Sequence, residues 1–298
     1  MTDSSGVWPL SPLRYPGSKR KLAPYLRAIL DYNDVHPNVL VEPFVGGASV
    51  ALHFLENDIV KRAIIADSDR LISSFWKVVF SKPDRLVKFV KSVRVNLGSF
   101  YSYKAVARST DGASAEELAE ACIFLNRTSF SGILTDKVGP LGGREQKSQY
   151  KISCRFNREA IIRRIQHVSQ FKNRVTVLPC SWEYTIEWVE TWLAKRKRLN
   201  KPLFYFDPPF FHKADQLYRE YFSSEDHDKL CERILGLRHH WILSYDNAPK
   251  VRKMYSQDGR MPTHVRMPYS INPGGRRSEK ELIITRLSLP PRAPVPKK

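Results

Sequence analysis

The segment 202–211 constrains the fold of this chain more than any other. Its first five residues are apolar, which is typical of a strand buried inside a parallel sheet. Asp207, Pro208 and Pro209 then end the strand, because a proline nitrogen has no hydrogen to donate to a sheet. Ligands of open α/β sheets bind at the carboxyl ends of the strands. Asp207 followed closely by Phe210 therefore predicts a site for a flat polar ring, although an ordinary Asp-Pro turn has the same pattern.

A glycine turn earlier in the chain points to a nucleotide-like ligand. An apolar strand from Val39 leads into Gly46 and Gly47, and a predicted helix follows. This order opens a Rossmann-like unit, in which glycines let a ligand approach the backbone. The next predicted strand ends at Asp67, which can accept hydrogen bonds from both hydroxyls of a ribose. We therefore expect a cofactor that contains a nucleoside. A nicotinamide oxidoreductase is disfavoured because the G-x-G-x-x-G pattern is absent.

The charge of the chain indicates a polyanionic partner. Its 298 residues include 49 Lys and Arg against 30 Asp and Glu, a formal net charge of +19. Nucleic acid is the simplest partner for such an excess, and an anionic membrane surface is the rival. No apolar run approaches the roughly 20 residues that a membrane span needs, and no signal-peptide pattern is present. We expect a cytoplasmic protein, since the four cysteines are widely spaced and form no C-x-x-C pair.

From Leu71 to about Asn173 the pattern differs from that of the rest of the chain. Helices are predicted over 71–80, 83–97, 115–126 and 158–170, without a strand of the parallel type. Residues 83–174 carry 17 Lys and Arg against 8 Asp and Glu. Between 126 and 155, basic side chains alternate with glycines and short polar residues, which suits a loop or hairpin that enters a DNA groove. A solvated basic surface would show the same composition.

The α/β pattern resumes after this block. Strands are predicted over 174–180, 241–246, 264–268 and 281–287, and a mobile basic turn is predicted over 270–277. The candidate DNA-binding residues come from the helical block and from this turn. They are Asn126, Arg127, Ser131, Lys137, Arg144, Lys147, Lys151, Arg276 and Arg277.

Several blocks, in order along the chain, resemble the DNA adenine methylase (Dam-like) family of N6-adenine methyltransferases in its alpha arrangement. The resemblance spans residues 12 to 287. It rests on Arg14-Tyr15-Pro16-Gly17-Ser18-Lys19, Val41-Glu42-Pro43-Phe44-Val45-Gly46-Gly47, Ile65-Ala66-Asp67, Phe124-Leu125-Asn126-Arg127, Asp207-Pro208-Pro209-Phe210 and, near the end, Gly274-Gly275-Arg276-Arg277 with Glu281-Leu282.

The resemblance implies an enzyme that flips an adenine out of duplex DNA and methylates its exocyclic nitrogen. The methyl donor would be S-adenosylmethionine, without a metal. The implied fold is an α/β, Rossmann-like seven-stranded methyltransferase sheet with a mainly helical target-recognition domain inserted. Residues 1–80 and 175–289 would form a discontinuous catalytic domain, 81–174 the DNA-binding insertion, and 290–298 a disordered tail.

The resemblance also assigns the site residues. Asp207, Pro208, Pro209 and Phe210 would be catalytic. The cofactor would be bound by Tyr15, Lys19, Glu42, Phe44, Gly46, Gly47, Asp67 and Asp207. An adenine amine is a poor nucleophile, since its lone pair is delocalised into the ring. Two acceptors, the Asp207 carboxylate and the Pro208 carbonyl, would favour a tetrahedral nitrogen, and Phe210 would stack on the extruded base.

Two departures from the family pattern limit what the resemblance implies. The family usually has Tyr where this chain has Phe210, so stacking is retained but a phenol hydroxyl is lost. The family's Asn-Val-Pro-Phe-Gly-like run is absent, and residues 142–151 stand in its place. The target sequence, GATC included, therefore stays open.

Alternatives to this interpretation differ in class. A cytosine-N4 or RNA adenine methyltransferase would also act on an exocyclic amine. A catalytically idle DNA-binding or regulatory module could keep the same fold. A partner restriction endonuclease, or an orphan or phage role, is equally compatible with the motifs. We expect a monomer that acts on double-stranded DNA.

Overall fold

A computed structural model of the chain describes residues 10–15, 17–195, 201–211, 217–256, 263–268 and 278–291. For 263–268 and 278–280 it describes the backbone alone. The predicted basic turn over 270–277, with Arg276 and Arg277, lies outside the described residues, as does most of the predicted tail.

A mostly parallel sheet forms the centre of the molecule, as predicted for an α/β protein. Its strands are β1 (Val39–Glu42), β2 (Arg62–Ala66), β3 (Val175–Leu178), β4 (Pro202–Phe206), β5 (His240–Asp246), β6 (Thr263–Pro268) and β7 (Ser278–Thr285). Across the sheet they follow the order β3-β2-β1-β4-β5-β7-β6. The first five strands pair in parallel, and β7 runs antiparallel to both β5 and β6. This arrangement is consistent with a methyltransferase fold.

Helices cover both faces of the sheet. They are α1 (Ala23–Tyr32), α2 (Ser49–Glu56), α3 (Arg70–Ser81), α4 (Pro83–Ser92), α5 (Leu97–Arg108), α6 (Ala115–Thr128), α7 (Arg158–Ser169), α8 (Trp182–Ala194), α9 (Ser224–Leu235) and α10 (Pro249–Tyr255). Short 3-10 helices span Lys19–Lys21, Phe130–Gly132, Ile152–Arg155 and Gln170–Asn173.

Alternate strand residues enter two separate apolar clusters, because successive side chains of a strand point to opposite faces. On β4, Leu203 and Tyr205 join the cluster that contains α1, α2 and α3. Phe204 and Phe206 join the cluster formed with α8, α9 and α10. The sheet is therefore buried on both faces, which explains why its central strands read as continuous apolar runs.

One predicted helix is wrong in its extent. The sequence predicted a helix over 83–97, whereas α4 ends at Ser92 and a separate α5 begins at Leu97. The side chain of Asn96 accepts a hydrogen bond from the Ser99 backbone N–H at 2.8 Å and so caps the new helix. Hydrophobic spacing alone predicts one continuous helix here. The capping Asn96 instead begins a second helix after α4 has ended.

The helical block shares its core with the sheet. Apolar residues of α3 to α7 belong to the same buried cluster as α1, α2 and one face of the central strands. The boundary predicted at residue 81 falls on the last residue of α3, and Lys82 separates α3 from α4. The assignment of 81–174 as a target-recognition domain stays a prediction. None of the described helices is long and apolar enough to cross a membrane.

Candidate active site

A cleft opens at the carboxyl ends of β1, β2 and β4. All eight predicted cofactor-binding residues line it, together with residues from the segment after β4. The predicted lining residues are Tyr15, Lys19, Glu42, Phe44, Gly46, Gly47, Asp67 and Asp207.

Asp207 follows the last residue of β4 and lies at the edge of this cleft. Its Oδ1 atom lies 2.8 Å from Lys19 Nζ and accepts a hydrogen bond from Ser244 Oγ at 2.9 Å. Burial raises the pKa of Asp207 above its ordinary value, while the Lys19 ammonium opposes that shift. Both contacts fall on one carboxylate oxygen, so the carboxylate is oriented through Oδ1.

Lys19 is shared between two carboxylates. Its Nζ atom lies 2.8 Å from Asp207 Oδ1 and 2.8 Å from Glu281 Oε1, and it donates to the Gly17 carbonyl at 3.1 Å. Only 3% of Lys19 is exposed and only 2% of Glu281. A buried ammonium is stabilised by such partners, and each buried carboxylate gains a cation in return.

Ser244 reaches Asp207 because of the sheet register. Phe206 on β4 pairs with Leu243 on β5, so the next residues of the two strands, Asp207 and Ser244, also lie side by side. The hydroxyls of Ser244 and Tyr205 are 2.7 Å apart and buried. A chain of hydrogen bonds therefore runs from the interior of the sheet to the carboxylate.

Phe210 lies beside the ion pair. Its ring centroid is 5.7 Å from Lys19 Nζ and 5.7 Å from the Tyr218 ring, which meets it edge-on. Pro209 lines the cleft, and Pro208 is buried. The four residues assigned to catalysis are thus contiguous at the mouth of the cleft, as their position at a strand end requires.

The glycine turn after β1 closely contacts an aromatic ring. Gly46 has a φ of +42°, and a Cβ atom placed on it would lie 2.5 Å from the Tyr15 ring. A Cβ atom on Gly47 would lie 2.8 Å from Tyr15 Cβ. Any larger residue would displace Tyr15, so both glycines are needed for this contact. Trp76 Nε1 donates a hydrogen bond to the Gly46 carbonyl at 2.8 Å and so stabilises the turn.

Asp67 ties the turn to the end of β2. Its Oδ2 accepts from the Gly46 N–H at 2.9 Å and its Oδ1 from the Asp69 N–H at 3.0 Å. Burial, reinforced by the neighbouring Asp69 carboxylate, raises the pKa of Asp67 to about 7. The carboxylate therefore titrates near neutral pH.

Glu42 is a second buried carboxylate in the cleft. It accepts a hydrogen bond from the Ala51 N–H at 3.1 Å, and burial raises its pKa well above the ordinary value. Phe44 packs edge-on against Phe222, with 5.7 Å between the ring centroids. An acidic and aromatic lining of this kind suits a ligand that combines hydroxyl groups, a flat ring and positive charge.

Sequence reasoning missed several residues of this site. Glu281 and Ser244 complete the contacts around Lys19 and Asp207, and Tyr218 and Asp69 line the cleft. Glu281 belongs to the terminal motif of the resemblance, which predicts no role for it. Ser244 follows the apolar residues of β5, just as Asp207 follows those of β4. This matching position at the end of an apolar run is the feature of the sequence that could have identified Ser244.

The structure corrects two of the predicted DNA-binding residues. Asn126 is 0% exposed and Arg127 is 7% exposed, because α6 extends to Thr128 and includes both. The Asn126 side chain accepts from the Arg14 N–H at 2.7 Å and donates to the carbonyls of Arg14 at 2.7 Å and Gly132 at 2.9 Å. Arg127 donates to the Pro12 carbonyl. Both side chains anchor the N-terminal segment and cannot contact a partner in this structure.

The other described candidates lie on the segment after α6. Ser131 is half-buried, and four cations are exposed: Lys137, Arg144, Lys147 and Lys151. Lys147 pairs with Glu145 at 2.7 Å, and Lys151 donates to the Gln146 carbonyl at 2.5 Å. The exposed positions leave a DNA contact open to test.

Comparison with known proteins agrees with the geometry of this site. The family model of the D12 class N6 adenine-specific DNA methyltransferases matches residues 15–267. The chain belongs to this family. The resemblance that the motifs predicted is therefore confirmed. The match takes in β1, β2, β4 and β5, and hence the carboxyl edge that carries Asp207 and Asp67.

A curated protein is also similar in sequence to this chain. It is the Type II methyltransferase M.MjaIII of Methanocaldococcus jannaschii, 24% identical over 238 residues, which cover 74% of this chain and 77% of the relative. Within the described residues, no group of three or more His, Cys, Asp and Glu side chains could hold a metal ion.

Proposed function

We propose that this methyltransferase transfers a methyl group from S-adenosylmethionine to the N6 amine of an adenine that is flipped out of duplex DNA at a specific sequence. The single observation that carries the proposal is the Asp207 carboxylate. It is oriented by Lys19 and Ser244 at the edge of a cleft that the glycine turn and Asp67 also line. Membership of the family supports the reaction class.

The residues of the cleft fit S-adenosylmethionine. Carboxylates predominate in the lining, with Glu42, Asp67, Asp69, Asp207 and Glu220 against Lys19 and Arg219. That balance suits a ligand with a sulfonium and an ammonium. Asp67 would accept from the ribose hydroxyls, and Phe44 with Tyr15 would cover the flat ring. When bound, the cofactor supplies an electrophilic methyl group on a positively charged sulfur.

Asp207 would make the adenine amine reactive without a covalent intermediate. Lys19 and Ser244 both contact Oδ1, which leaves Oδ2 to accept a hydrogen from the amine. With the Pro208 carbonyl as a second acceptor, the nitrogen becomes tetrahedral, and its lone pair is aimed at the methyl group. The two prolines have fixed φ angles, so the acceptor positions are preorganised.

Phe210 would hold the extruded base. Phe210 follows Asp207 by three residues, and its ring centroid lies 5.7 Å from Lys19 Nζ. Base stacking on an aromatic side chain contributes about 1–3 kcal/mol. This offsets part of the few kcal/mol that unstacking a base from duplex DNA requires. The loss of the family's usual tyrosine hydroxyl leaves the stacking face intact.

We further propose that the enzyme modifies DNA as part of a restriction-modification system. The supporting observation is the similarity to M.MjaIII, which is described as a Type II methyltransferase.

Substitution of Asp207 tests the proposed function. Asp207→Ala removes the acceptor, and methyl transfer to DNA falls by on the order of 10³-fold or more. DNA affinity stays close to that of the parent, because Asp207 contacts the amine and not the phosphate backbone. The measurement is tritiated methyl incorporation into DNA, with nucleoside analysis of the product and a separate binding assay.

The isosteric variant Asp207→Asn is the matched control for shape. It keeps the volume but replaces one oxygen with a donor, so it is expected to be as inactive as the alanine variant. Parent-level transfer in either variant would refute the assignment. A parent product of N4-methylcytosine, or methylated RNA in place of DNA, would identify one of the other amine methyltransferases. No methyl transfer together with intact DNA binding would identify an idle module.

A further inference from the structure

The segment 207–211 is held at both ends by one strand, β5. At its first residue, Ser244 Oγ donates a hydrogen bond to Asp207 Oδ1 at 2.9 Å. At its last residue, Asp246 Oδ1 accepts a hydrogen bond from the Phe211 backbone N–H at 2.8 Å. Ser244 and Asp246 are two residues apart, so their side chains leave the strand on the same face. One face of β5 therefore contacts both ends of the segment.

The contact at Phe211 matters because the segment has few groups by which it can be held. Pro208 and Pro209 have no backbone N–H, and their φ angles are fixed. Only Phe210 and Phe211 follow them with a backbone donor inside the segment, and Asp246 accepts one of these two. Because the proline pair is stiff, a contact that fixes Phe211 also fixes the Pro208 carbonyl and the Phe210 ring.

The two phenylalanine rings have different surroundings. The ring of Phe210 lies beside Lys19 Nζ and the Tyr218 ring, and both of these residues line the cleft. The ring of Phe211 packs instead against the apolar cluster of α8, α9 and α10. Its centroid lies 4.7 Å from the ring of His227 on α9. Phe211 therefore anchors the segment to the body of the protein, and Phe210 is presented at the cleft.

The side chain against which Phe211 packs is itself held by β5. His227 is 2% exposed, and its Nδ1 atom shares a hydrogen bond with the hydroxyl of Tyr245. Tyr245 lies between Ser244 and Asp246 on the strand, and its side chain belongs to the cluster on the other face. The strand thus fixes the Phe211 backbone through Asp246 and the Phe211 ring through Tyr245 and His227.

Asp246 does not belong to the described residues that line the cleft. In the sheet it pairs with Glu281 of β7, whose carboxylate contacts Lys19. The carboxylate that holds Phe211 therefore stands beside the one that holds the cation of the site. Since Asp246 lies behind the segment and not in the cleft, it affects the reacting atoms through the backbone that it holds.

We propose that Asp246 is a positioning residue for methyl transfer, which keeps the Phe210 ring and the Pro208 carbonyl in place by accepting the Phe211 N–H. This inference rests on the proposed function, which supplies the adenine that these two groups hold. Misplacement of a reacting group by about 1 Å can slow a reaction on the order of 10²-fold. The contact needs an acceptor oxygen at this position, and an amide oxygen can replace the carboxylate.

A pair of variants tests the inference through the rate of methyl transfer. Asp246→Ala removes the acceptor, whereas Asp246→Asn keeps an oxygen that can accept the same hydrogen. Single-turnover transfer is measured at saturating S-adenosylmethionine on bacterial DNA free of N6-methyladenine. We expect the rate of Asp246→Ala to fall about 10- to 100-fold and that of Asp246→Asn to stay close to the parent rate. Cofactor affinity, measured by calorimetry, is expected to be unchanged in both variants.

A second measurement reports the contact itself and needs no DNA. Exchange of the Phe211 amide hydrogen is followed by NMR in protein labelled with ¹⁵N-phenylalanine, and Phe211→Leu assigns the signal. A hydrogen-bonded amide exchanges slowly, so we expect exchange on the order of tenfold faster in Asp246→Ala. In Asp246→Asn the amide is expected to exchange as slowly as in the parent.

Glu117→Ala is the matched control for stability. Glu117 Oε2 accepts the Ser114 backbone N–H at 2.8 Å at the start of α6, so this variant also removes a carboxylate that holds one backbone donor. Glu117 does not line the cleft. We expect the parent rate of transfer and the parent exchange rate at Phe211. A loss of rate equal to that of Asp246→Ala would show that general destabilisation explains both variants.

Four further results would overturn the inference. They are parent-level transfer by Asp246→Ala, unchanged exchange of the Phe211 amide in that variant, an Asp246→Asn variant as slow as the alanine variant, and a loss of cofactor affinity large enough to explain the lower rate. Failure of the proposed function is seen separately, as absence of N6-methyladenine in DNA treated with the parent enzyme. The exchange measurement still shows in that case whether Asp246 holds Phe211.

Discussion

At the carboxyl edge of the sheet a buried cation lies against carboxylates, whereas ion pairs of the helical block lie at the surface. Lys19 contacts Asp207 and Glu281, each at 2.8 Å, and only 3% of Lys19 is exposed. In the helical block, Lys82 pairs with Glu116 and Arg85 with Glu120, and both cations are more than half exposed.

The difference shows what burial does to a charge. Carboxylates in the cleft are desolvated, so a matched cation is needed to keep them charged. Charges in the ion pairs of the helical block are exposed to solvent, and such pairs contribute little to stability. A buried, matched cation therefore marks the candidate reacting centre.

Removal of Lys19 is the strongest way to break this comparison. Lys19→Met leaves Asp207 and Glu281 without their shared cation, so the pKa of Asp207 rises further and a larger share of the carboxyl groups is protonated. Methyl transfer falls by on the order of 10²- to 10³-fold and recovers in part as the pH is raised. The measurement is single-turnover methyl transfer as a function of pH.

The control for that variant is Lys21→Met, in the same 3-10 helix but exposed. It removes the same charge, and we expect parent-level transfer. If Lys19→Met transferred methyl groups at the parent rate at neutral pH, charge matching at the cleft would have no catalytic meaning.

Substitution of Asn126 tests whether the end of α6 is scaffold or DNA contact. Asn126→Ala leaves two groups of the Arg14 backbone and the Gly132 carbonyl without their buried partner. The free energy of unfolding is expected to fall by about 3 kcal/mol, since each unsatisfied buried group costs about 1–3 kcal/mol. Urea denaturation gives the value.

Asn96→Ala provides the comparison, because Asn96 is a solvent-exposed helix cap and its loss costs about 1 kcal/mol. Parent stability in Asn126→Ala, combined with weaker DNA binding, would restore the direct contact that the sequence suggested.

The titration of Asp67 sharpens the comparison within the cleft. Its pKa is about 7, so ribose hydroxyls meet a carboxylate only in part of the molecules at neutral pH. Cofactor affinity is expected to rise by up to about tenfold between about pH 6 and 8. In the unliganded protein a rise in pH has the opposite effect, because it lowers the stability of the folded state. The folded state holds this proton more tightly than the unfolded chain, so its contribution to stability is lost as the pH rises through about 7.

Calorimetric titration with S-adenosylmethionine across this range measures the effect. Asp67→Asn is the matched variant, because it keeps the shape of the side chain without its titration. It should bind the cofactor more weakly and with less dependence on pH. A pH-independent affinity in the parent would remove Asp67 from the cofactor site.

The sequence by itself determined the sheet edge and most of the cleft. Apolar runs that stop at Asp67 and Asp207 predict buried parallel strands, and parallel strands bring their carboxyl ends to one edge without further information. Gly46 and Gly47 could be located in the same way, since only a turn of that shape connects the strand to α2. The local residue pattern and the parallel direction of the strands were sufficient to predict where these residues lie.

Only the tertiary structure decided which polar side chains face each other. Glu281 joins Lys19 because β7 inserts antiparallel beside β5, a pairing between residues far apart in the chain. Asn126 and Arg127 look like loop residues in a basic segment, but α6 continues through them and the N-terminal segment covers them. Burial and long-range pairing depend on how elements pack, and a local pattern of residues does not contain that information.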